Sequence, residues 1–348
     1  MTEPARPSLE PVLVTGGAGF IGANLVRMLL ERGYQVTVLD NLVAGRLEYL
    51  EGLPIRFIRG DILDRATVDA AVAGQSGVIH LAAQTGVPGS LRDPKKDCEI
   101  NILGTLNLLE ACRMEKARQQ SLAQPEDGSH CSQNRSGGGP RFVFASSNAP
   151  LGRQTLPATE DKAPLPISPY GASKLAGEAY CLAYHGSWGV PTVALRFGNV
   201  YGPFCSHKGS VVAKFMKEIA AGGGLQIDGD GEQTRDFIYV GDLCRAIQLA
   251  LQSEVSGEVF QIATGMETSI RELAELIQQA AGKRMEMHHG PARQGDVRRN
   301  YSVVGKARNL LHWEPSTQLI DGLRDTQAWF TACLSGPLPT LKLADSRA

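Results

Sequence analysis

The sequence predicts an α/β fold, a doubly wound parallel sheet followed by a smaller, mixed α/β C-terminal part. Three observations predict it. Short apolar runs alternate with segments of helical period up to about residue 200. A glycine-rich turn joins the first apolar run to the first helical one. After Gly202 the alternation gives way to an irregular mixture of strand and helix signals.

The elements follow in order. Val12 to Val14 forms the first strand run, and "TGGAGFIG" the turn. Ile21, Leu25, Met28 and Leu29 then recur at helical spacing until Gly33 stops the helix. "QVTVLD" and "IRFIRGDI" read as the second and third strands, with a helical stretch from about Leu63 to Val72 after them. "GVIHLAA" is a strand, a long helix lies near Cys98–Met114, and "RFVFASS" is the next strand. In "SPYGASKLAGE", Ser168 is an N-cap and Pro169 suits the first helical position. "PTVALRFGNV" is a further strand. Beyond it come a helix at Val211–Ala221, a strand and helix in "TRDFIYVGDLCRAIQLAL", and an amphipathic helix in "SIRELAELIQQAAG". Lys116 to Pro140 breaks the rhythm: it is polar, contains "GGG" and has no apolar period, so a mobile surface insertion is expected.

A chain of 348 residues is long for a single core, so one large domain and a smaller partner are expected. With 35 basic and 36 acidic residues, there is no electrostatic case for nucleic acid or an anionic membrane surface. The start "MTEPARPSLEP" lacks the apolar core of a signal peptide, and no segment approaches the ~20 apolar residues of a membrane span. The seven cysteines are scattered and never in a C-x-x-C arrangement, which suits free thiols in the cytoplasm. No ligand spacing for a metal is present; His130 with Cys131, and His288 with His289, are merely adjacent.

Gly16, Gly19 and Gly22 stand at G-x-x-G-x-x-G spacing between a strand and a helix. Residues without Cβ permit the tight turn and let backbone N–H groups approach a pyrophosphate. Asp40 ends the next strand, where a carboxylate accepts from ribose hydroxyls and repels a 2′-phosphate, which favours NAD over NADP. Asp61 in "GDI" is placed either to meet the adenine amino group or to cap a loop end.

Tyr170 and Lys174 share a helix face four residues apart. A phenol becomes a base near neutral pH only when its phenolate is stabilised, and an ammonium one turn away does that. Taken alone the pair is an ordinary helix edge. Ser146 and Ser147, at the C-terminal end of a core strand, supply the hydroxyl that would bridge a substrate hydroxyl and the phenolate. Asn101, inside a helix, is counted as the fourth catalytic residue, its amide holding a structural water, the alternative being an exposed or kink-associated asparagine.

"TGGAGFIG", Asp40–Asn41, "GDI", "HLAA", "NILGT", "FASSNA", "YGASK", "RFGNVYGP" and "GDGEQTRDFIYVGDL" occur in the order seen in extended short-chain dehydrogenase/reductases. Within them the chain resembles the NAD-dependent nucleotide-sugar epimerase/dehydratase family, the UDP-galactose 4-epimerase group in particular, from about Val12 to Leu323. The resemblance implies a Rossmann-type NAD-binding domain at 10–200, completed by a strand–helix return at about 236–263 and interrupted by the insertion 116–140. A nucleotide-sugar domain would follow at 201–340. It extends the cofactor contacts to Phe20, Ile21, Asn41, Ile62, Leu81, Ala82, Ala83, Tyr170 and Lys174.

Tyr170 would deprotonate the sugar C4 hydroxyl as hydride leaves C4, and the 4-keto sugar would turn over and take hydride back on its other face. Ser147 falls on the catalytic Ser/Thr position, and Lys174 would also bind the nicotinamide ribose. Asn199, Arg235 and Arg293 look like diphosphate–sugar contacts, and Asp296 like the nucleoside-ribose contact. Dehydratases of the family carry Asp-Glu after the catalytic hydroxyl residue; Asn148 and Ala149 stand here, which disfavours dehydration. "PLG" replaces the usual "VYG", and Asn300 sits at a gate position near the sugar.

His207 and Lys208 are expected in a solvent-facing turn, the alternative being a cation for a C6 carboxylate, which would suit UDP-glucuronate. The expected reaction is C4 epimerisation of UDP-glucose/UDP-galactose, with a glucuronate epimerase or decarboxylase, and then a non-enzymatic NAD-binding scaffold, as alternatives. Family habit implies a homodimer through the helices near Asn101 and Tyr170.

Overall fold

The computed structural model describes residues 10–123, 138–292 and 298–335. Six parallel strands, β1 Pro11–Thr15, β2 Gln35–Asp40, β3 Arg56–Arg59, β4 Gly77–His80, β5 Arg141–Ser147 and β6 Thr192–Phe197, alternate with helices along the chain. A seventh strand, Glu258–Ile262, pairs with β6, giving the order Glu258–Ile262, β6, β5, β4, β1, β2, β3. The order reverses beside β1, so the groove for a ligand opens at the C-terminal ends of the strands there. Three two-stranded sheets are formed by shorter strands beyond residue 198.

Successive strand residues point to opposite faces, and the sequence uses both. Val12, Val14, Ile79, Val143 and Leu195 belong to one apolar cluster, with Leu25 and Leu29 of helix α1 (Phe20–Glu31) and Leu243 and Ile247 of the helix Val240–Gln252. Leu13, Val78, Phe142, Phe144 and Ala194 belong to the other, with Val68 and Val72 of helix α2 (Arg65–Val72). Two short helices follow β4, α3 Val87–Arg92 and α4 Pro94–Cys98. A π-helical turn, Glu99–Leu103, then leads into α5, Gly104–Ala123.

Helix α5 corrects the expected extent of the insertion, because Lys116–Ala123 continues it. "KARQQSLA" lacks an apolar stripe but consists mainly of good helix formers. Lys116 Nζ also donates to Trp188 O at 2.9 Å and Gly189 O at 2.6 Å, and Arg118 pairs with Glu115 one turn back. Residues 124–137 of that stretch, including His130 and Cys131, lie outside the described residues.

Helix α6, Pro169–Trp188, begins as the sequence indicates: Ser168 Oγ accepts from Gly171 N at 3.1 Å, and Gly189 closes the other end in the left-handed conformation. It lies very close to β5. A Cβ on Gly177 would stand 2.3 Å from Cζ of Phe144, a ring with no exposed surface. Gly177→Ala is therefore expected to destabilise the fold by about 1–3 kcal/mol, read as a lowered midpoint in thermal or urea unfolding. An unchanged midpoint would mean that α6 shifts off β5 freely.

None of the six described cysteines is in a disulfide, and no described helix is long and apolar enough to cross a membrane.

Candidate active site

The chain leaves β1 and turns at Gly16, where φ is +71°. A Cβ there would lie 2.7 Å from Ala82 N, and one on Gly22 would lie 2.4 Å from Gly16 O. Backbone closes the turn on every side, so only glycine fits. Gly19 caps α1 without a side chain, and the first-turn amides carry no side-chain cap, the arrangement that receives a pyrophosphate.

At the end of β2, buried Asp40 accepts from Leu42 N at 2.8 Å and from Ala18 N at 3.0 Å. Burial raises its pKa, and the two N–H donors act in the opposite direction. Asn41 Nδ2 donates to Asp61 Oδ2 at 2.9 Å, while Asp61 Oδ1 accepts from Leu63 N at 2.9 Å. Asp61 thus caps its loop and still faces the groove. That groove, of about 630 Å³, is lined by Gly16, Gly19, Phe20, Ile21, Gly22, Asp40, Asn41, Asp61, Ile62, Leu81, Ala82, Ala83, Tyr170 and Lys174. The tight glycine turn, the open helix start and the acidic strand end fit a dinucleotide without a 2′-phosphate.

A second cavity, of about 440 Å³, adjoins it. Ser147, Tyr170, Asn199 and Arg235 line it, with Thr85, Phe215, Gln226 and Gln233, none of which local spacing singles out. Phe20, Ile21, Thr85, Ser146, Tyr170, Phe197 and Lys208 line both spaces, so Tyr170 stands at the seam. The far wall is rigidly built. The strand Asn199–Tyr201 pairs in parallel with Phe237–Tyr239, and Asn199 N donates to Asp236 O at 2.8 Å. The Asp236 carboxylate accepts from Thr264 N at 2.7 Å and Gly265 N at 2.9 Å, which fixes the segment carrying Arg235. Arg293 and Asp296 lie outside the described residues.

At the seam, Ser147 Oγ accepts from Ala149 N at 3.2 Å, leaving its proton to be donated to Tyr170. That hydrogen bond lowers the phenol pKa, but burial outweighs it and pushes Tyr170 up to about 12. Lys174 is 4% exposed; its Nζ donates to Ala145 O at 2.8 Å and sits 4.8 Å from the centre of the Phe144 ring. Burial draws Lys174 down to about 8, with Asp97 and Glu178 among the negative groups resisting the fall.

Asn101 occupies the π-helical turn, a geometry recurrent at functional sites. It is buried, lines neither cavity, and spends its amide on protein partners. Oδ1 accepts from Gln84 N at 2.9 Å, and Nδ2 faces Gln84 O at 3.0 Å, Asp97 Oδ1 at 3.1 Å and Ser173 Oγ at 3.1 Å. It therefore ties the loop after β4 to α6, beside Lys174.

His80 joins the same network. Thr15 Oγ1, which accepts from Ala82 N at 3.3 Å, donates to Nδ1 of the neutral His80 ring at 2.8 Å, because Thr105 spends its own proton on Asn101. His80 Nε2 then donates to Thr105 Oγ1 at 3.0 Å, and Thr105 to Asn101 O at 2.7 Å. Burial holds this imidazole neutral, its pKa drawn down to about 3.

The loop with His207 and Lys208 departs from the expected solvent-facing turn. Lys208 lines both cavities and His207 the dinucleotide groove. Burial lowers the pKa of both, and Lys208 has no ion pair among the described residues. The physical reason is packing: Phe204 and Cys205 just before them are buried, and Tyr49 stacks near both Phe204 and His207.

Residues 12–263 match the family described as the NAD dependent epimerase/dehydratase family. A UDP-glucose 4-epimerase of Mycolicibacterium smegmatis is 37% identical over 325 residues, 91% of this chain and 97% of that protein. The UDP-glucose 4-epimerase of Thermotoga maritima, solved with UDP-glucose, superposes with a TM-score of 0.82 at 35% identity, covering 93% of this chain and 99% of that one. The Thermus thermophilus UDP-glucose 4-epimerase in complex with NAD superposes with a TM-score of 0.79 at 36% identity, covering 92% and 99%.

Proposed function

The chain belongs to the NAD-dependent epimerase/dehydratase family, and from that premise we propose that it inverts C4 of a UDP-sugar, UDP-glucose or UDP-galactose, through a transient 4-keto sugar. One observation carries the reading: Tyr170 lines both the dinucleotide groove and the second cavity, with Lys174 on the groove side of it and Ser147, its hydrogen-bond partner, on the other. NAD, when bound, supplies a reversible hydride acceptor and a positive charge.

The chain's own residues do the rest. Gly16, Gly19, Gly22 and Asp40 hold the dinucleotide, and Asn199 and Arg235 orient the sugar nucleotide, with Arg293 and Asp296 assigned to it on sequence grounds. Tyr170 takes the proton of the C4 hydroxyl, relayed or steadied by Ser147, and returns it at the end. The Lys174 ammonium offsets the cost of making a phenolate in a buried site. Asn101 positions the loop of Gln84 and α6 rather than touching the sugar. Asn148 donates to Ser302 Oγ at 3.1 Å, and neither it nor Ala149 is an acid or base, which favours epimerisation over dehydration. A homodimer across α5 and α6 belongs to the same reading, supported by exposed Met114, Tyr180 and Trp188.

Lys208 favours a second reading, in which its ammonium pairs with a C6 carboxylate and the substrate is UDP-glucuronate. Chromatography of products after separate incubation with the neutral and the acidic UDP-sugar decides between them. Conversion of the neutral sugar alone is expected. Conversion of the acid alone would transfer the assignment to the uronate, and release of CO₂ would make the protein a decarboxylase.

A further inference from the structure

Helix α6 grips the last residues of β5 at three successive positions. Gly177 lies against the Phe144 ring, Lys174 Nζ holds Ala145 O, and Glu178 Oε1 accepts from Ser146 Oγ at 2.5 Å. The residue after these is Ser147. Glu178 lies one turn beyond Lys174 and two beyond Tyr170, so the three share a helix face.

Glu178 is in turn bound by Arg196, whose Nε meets Oε1 at 2.9 Å and whose Nη2 meets Oε2 at 2.7 Å. Arg196 stands directly opposite Ser146 in the β5–β6 register, so two neighbouring strands converge on one carboxylate. The Arg196 and Glu178 side chains are 4% and 3% exposed. Arg196 Nη1 is buried without a hydrogen-bond partner, and Glu178 is the one carboxylate paired with Arg196 among the described residues. A buried pair of this kind contributes little net stability compared with apolar residues of the same volume, and here it joins α6, β5 and β6 at one carboxylate.

We propose that Glu178, held by Arg196, is a positioning residue: it clamps the C-terminal end of β5 onto α6 so that the Ser147 hydroxyl meets the Tyr170 phenol. The inference rests on the reading of Ser147 and Tyr170 as the reacting pair. Its action is indirect, since Glu178 lines neither cavity. Displacing the reacting groups by ~1 Å costs on the order of 10²-fold in rate.

Two variants test it. Ser146→Ala removes the strand's link to the clamp and leaves the ion pair intact. Ser146→Ala/Glu178→Leu/Arg196→Met replaces the whole cluster by apolar groups without stranding a charge. Both are expected to melt near the parent and to retain bound dinucleotide. Turnover should fall about threefold to tenfold in the first and about 10–100-fold in the second, with KM within about twofold. The Tyr170 ionisation, read after a rapid pH jump as the ultraviolet difference between each protein and its own Tyr170→Phe form, should move upward in the triple variant, because the Ser147 bond is loosened. A folded triple variant with parental turnover and parental Tyr170 ionisation overturns the clamp. So does a fall in turnover that only tracks lost dinucleotide or a raised KM. A parent inactive on every UDP-sugar would overturn the functional reading instead, and the Tyr170 titration would still decide the clamp.

Discussion

Tyr170→Phe is expected to lower UDP-sugar conversion by about 10²–10⁴-fold, the usual contribution of a positioned proton acceptor, while leaving dinucleotide binding intact. The substitution removes one oxygen and keeps the ring that lines both the groove and the second cavity. Lys174 keeps its bond to Ala145 O, and Ser147 keeps its bond from Ala149 N, so nothing else in the site is obliged to move. Product chromatography measures the first quantity, and dinucleotide released on denaturation measures the second. A variant that converts substrate at the parental rate would remove Tyr170 from the mechanism. One that loses both activity and dinucleotide would make the tyrosine a binding residue.

The next largest effect is expected at Gly22. Alanine there would set its Cβ 2.4 Å from Gly16 O and 2.5 Å from Gly17 Cα, and backbone on both sides leaves no side chain to yield. Overpacking of this kind costs about 1–3 kcal/mol. If it falls on the bound conformation of the turn, dinucleotide affinity drops by about 5–150-fold. Calorimetric titration of the dinucleotide-free protein gives the number directly. Parental affinity in Gly22→Ala would show that the close approach of α1 to the turn is dispensable for holding the cofactor.

What the sequence made legible was local. The glycine turn, the acidic end of β2 and the Tyr170–Lys174 face depend on spacings of three, four and eighteen residues, and short-range sterics translate such spacings directly into shape. Helix α5 ran past its expected end because helix formers and a bond from Lys116 to the end of α6 substituted for an apolar stripe. Lys208 was misplaced for a different reason. Its loop is anchored by buried Phe204 and Cys205 and by Tyr49, which packs on Phe204 and His207 from far upstream, and a contact so distant in sequence leaves no periodic signature. The carboxylate at Glu178 is the extreme case, since its partners come from 32 residues upstream and 18 downstream.

The strand Glu258–Ile262 sits beside β6 in the sheet, although the chain between them builds the wall that carries Asn199 and Arg235. When β6 emerges from the ribosome its outer edge has no neighbour, and the strand that will cover it has not yet been translated. The sheet that carries the glycine turn therefore closes only after the segment with Asn199 and Arg235 has been made. A nascent chain stalled before residue 258 should behave as an open-edged intermediate, dependent on chaperones, rather than as a finished cofactor-binding unit.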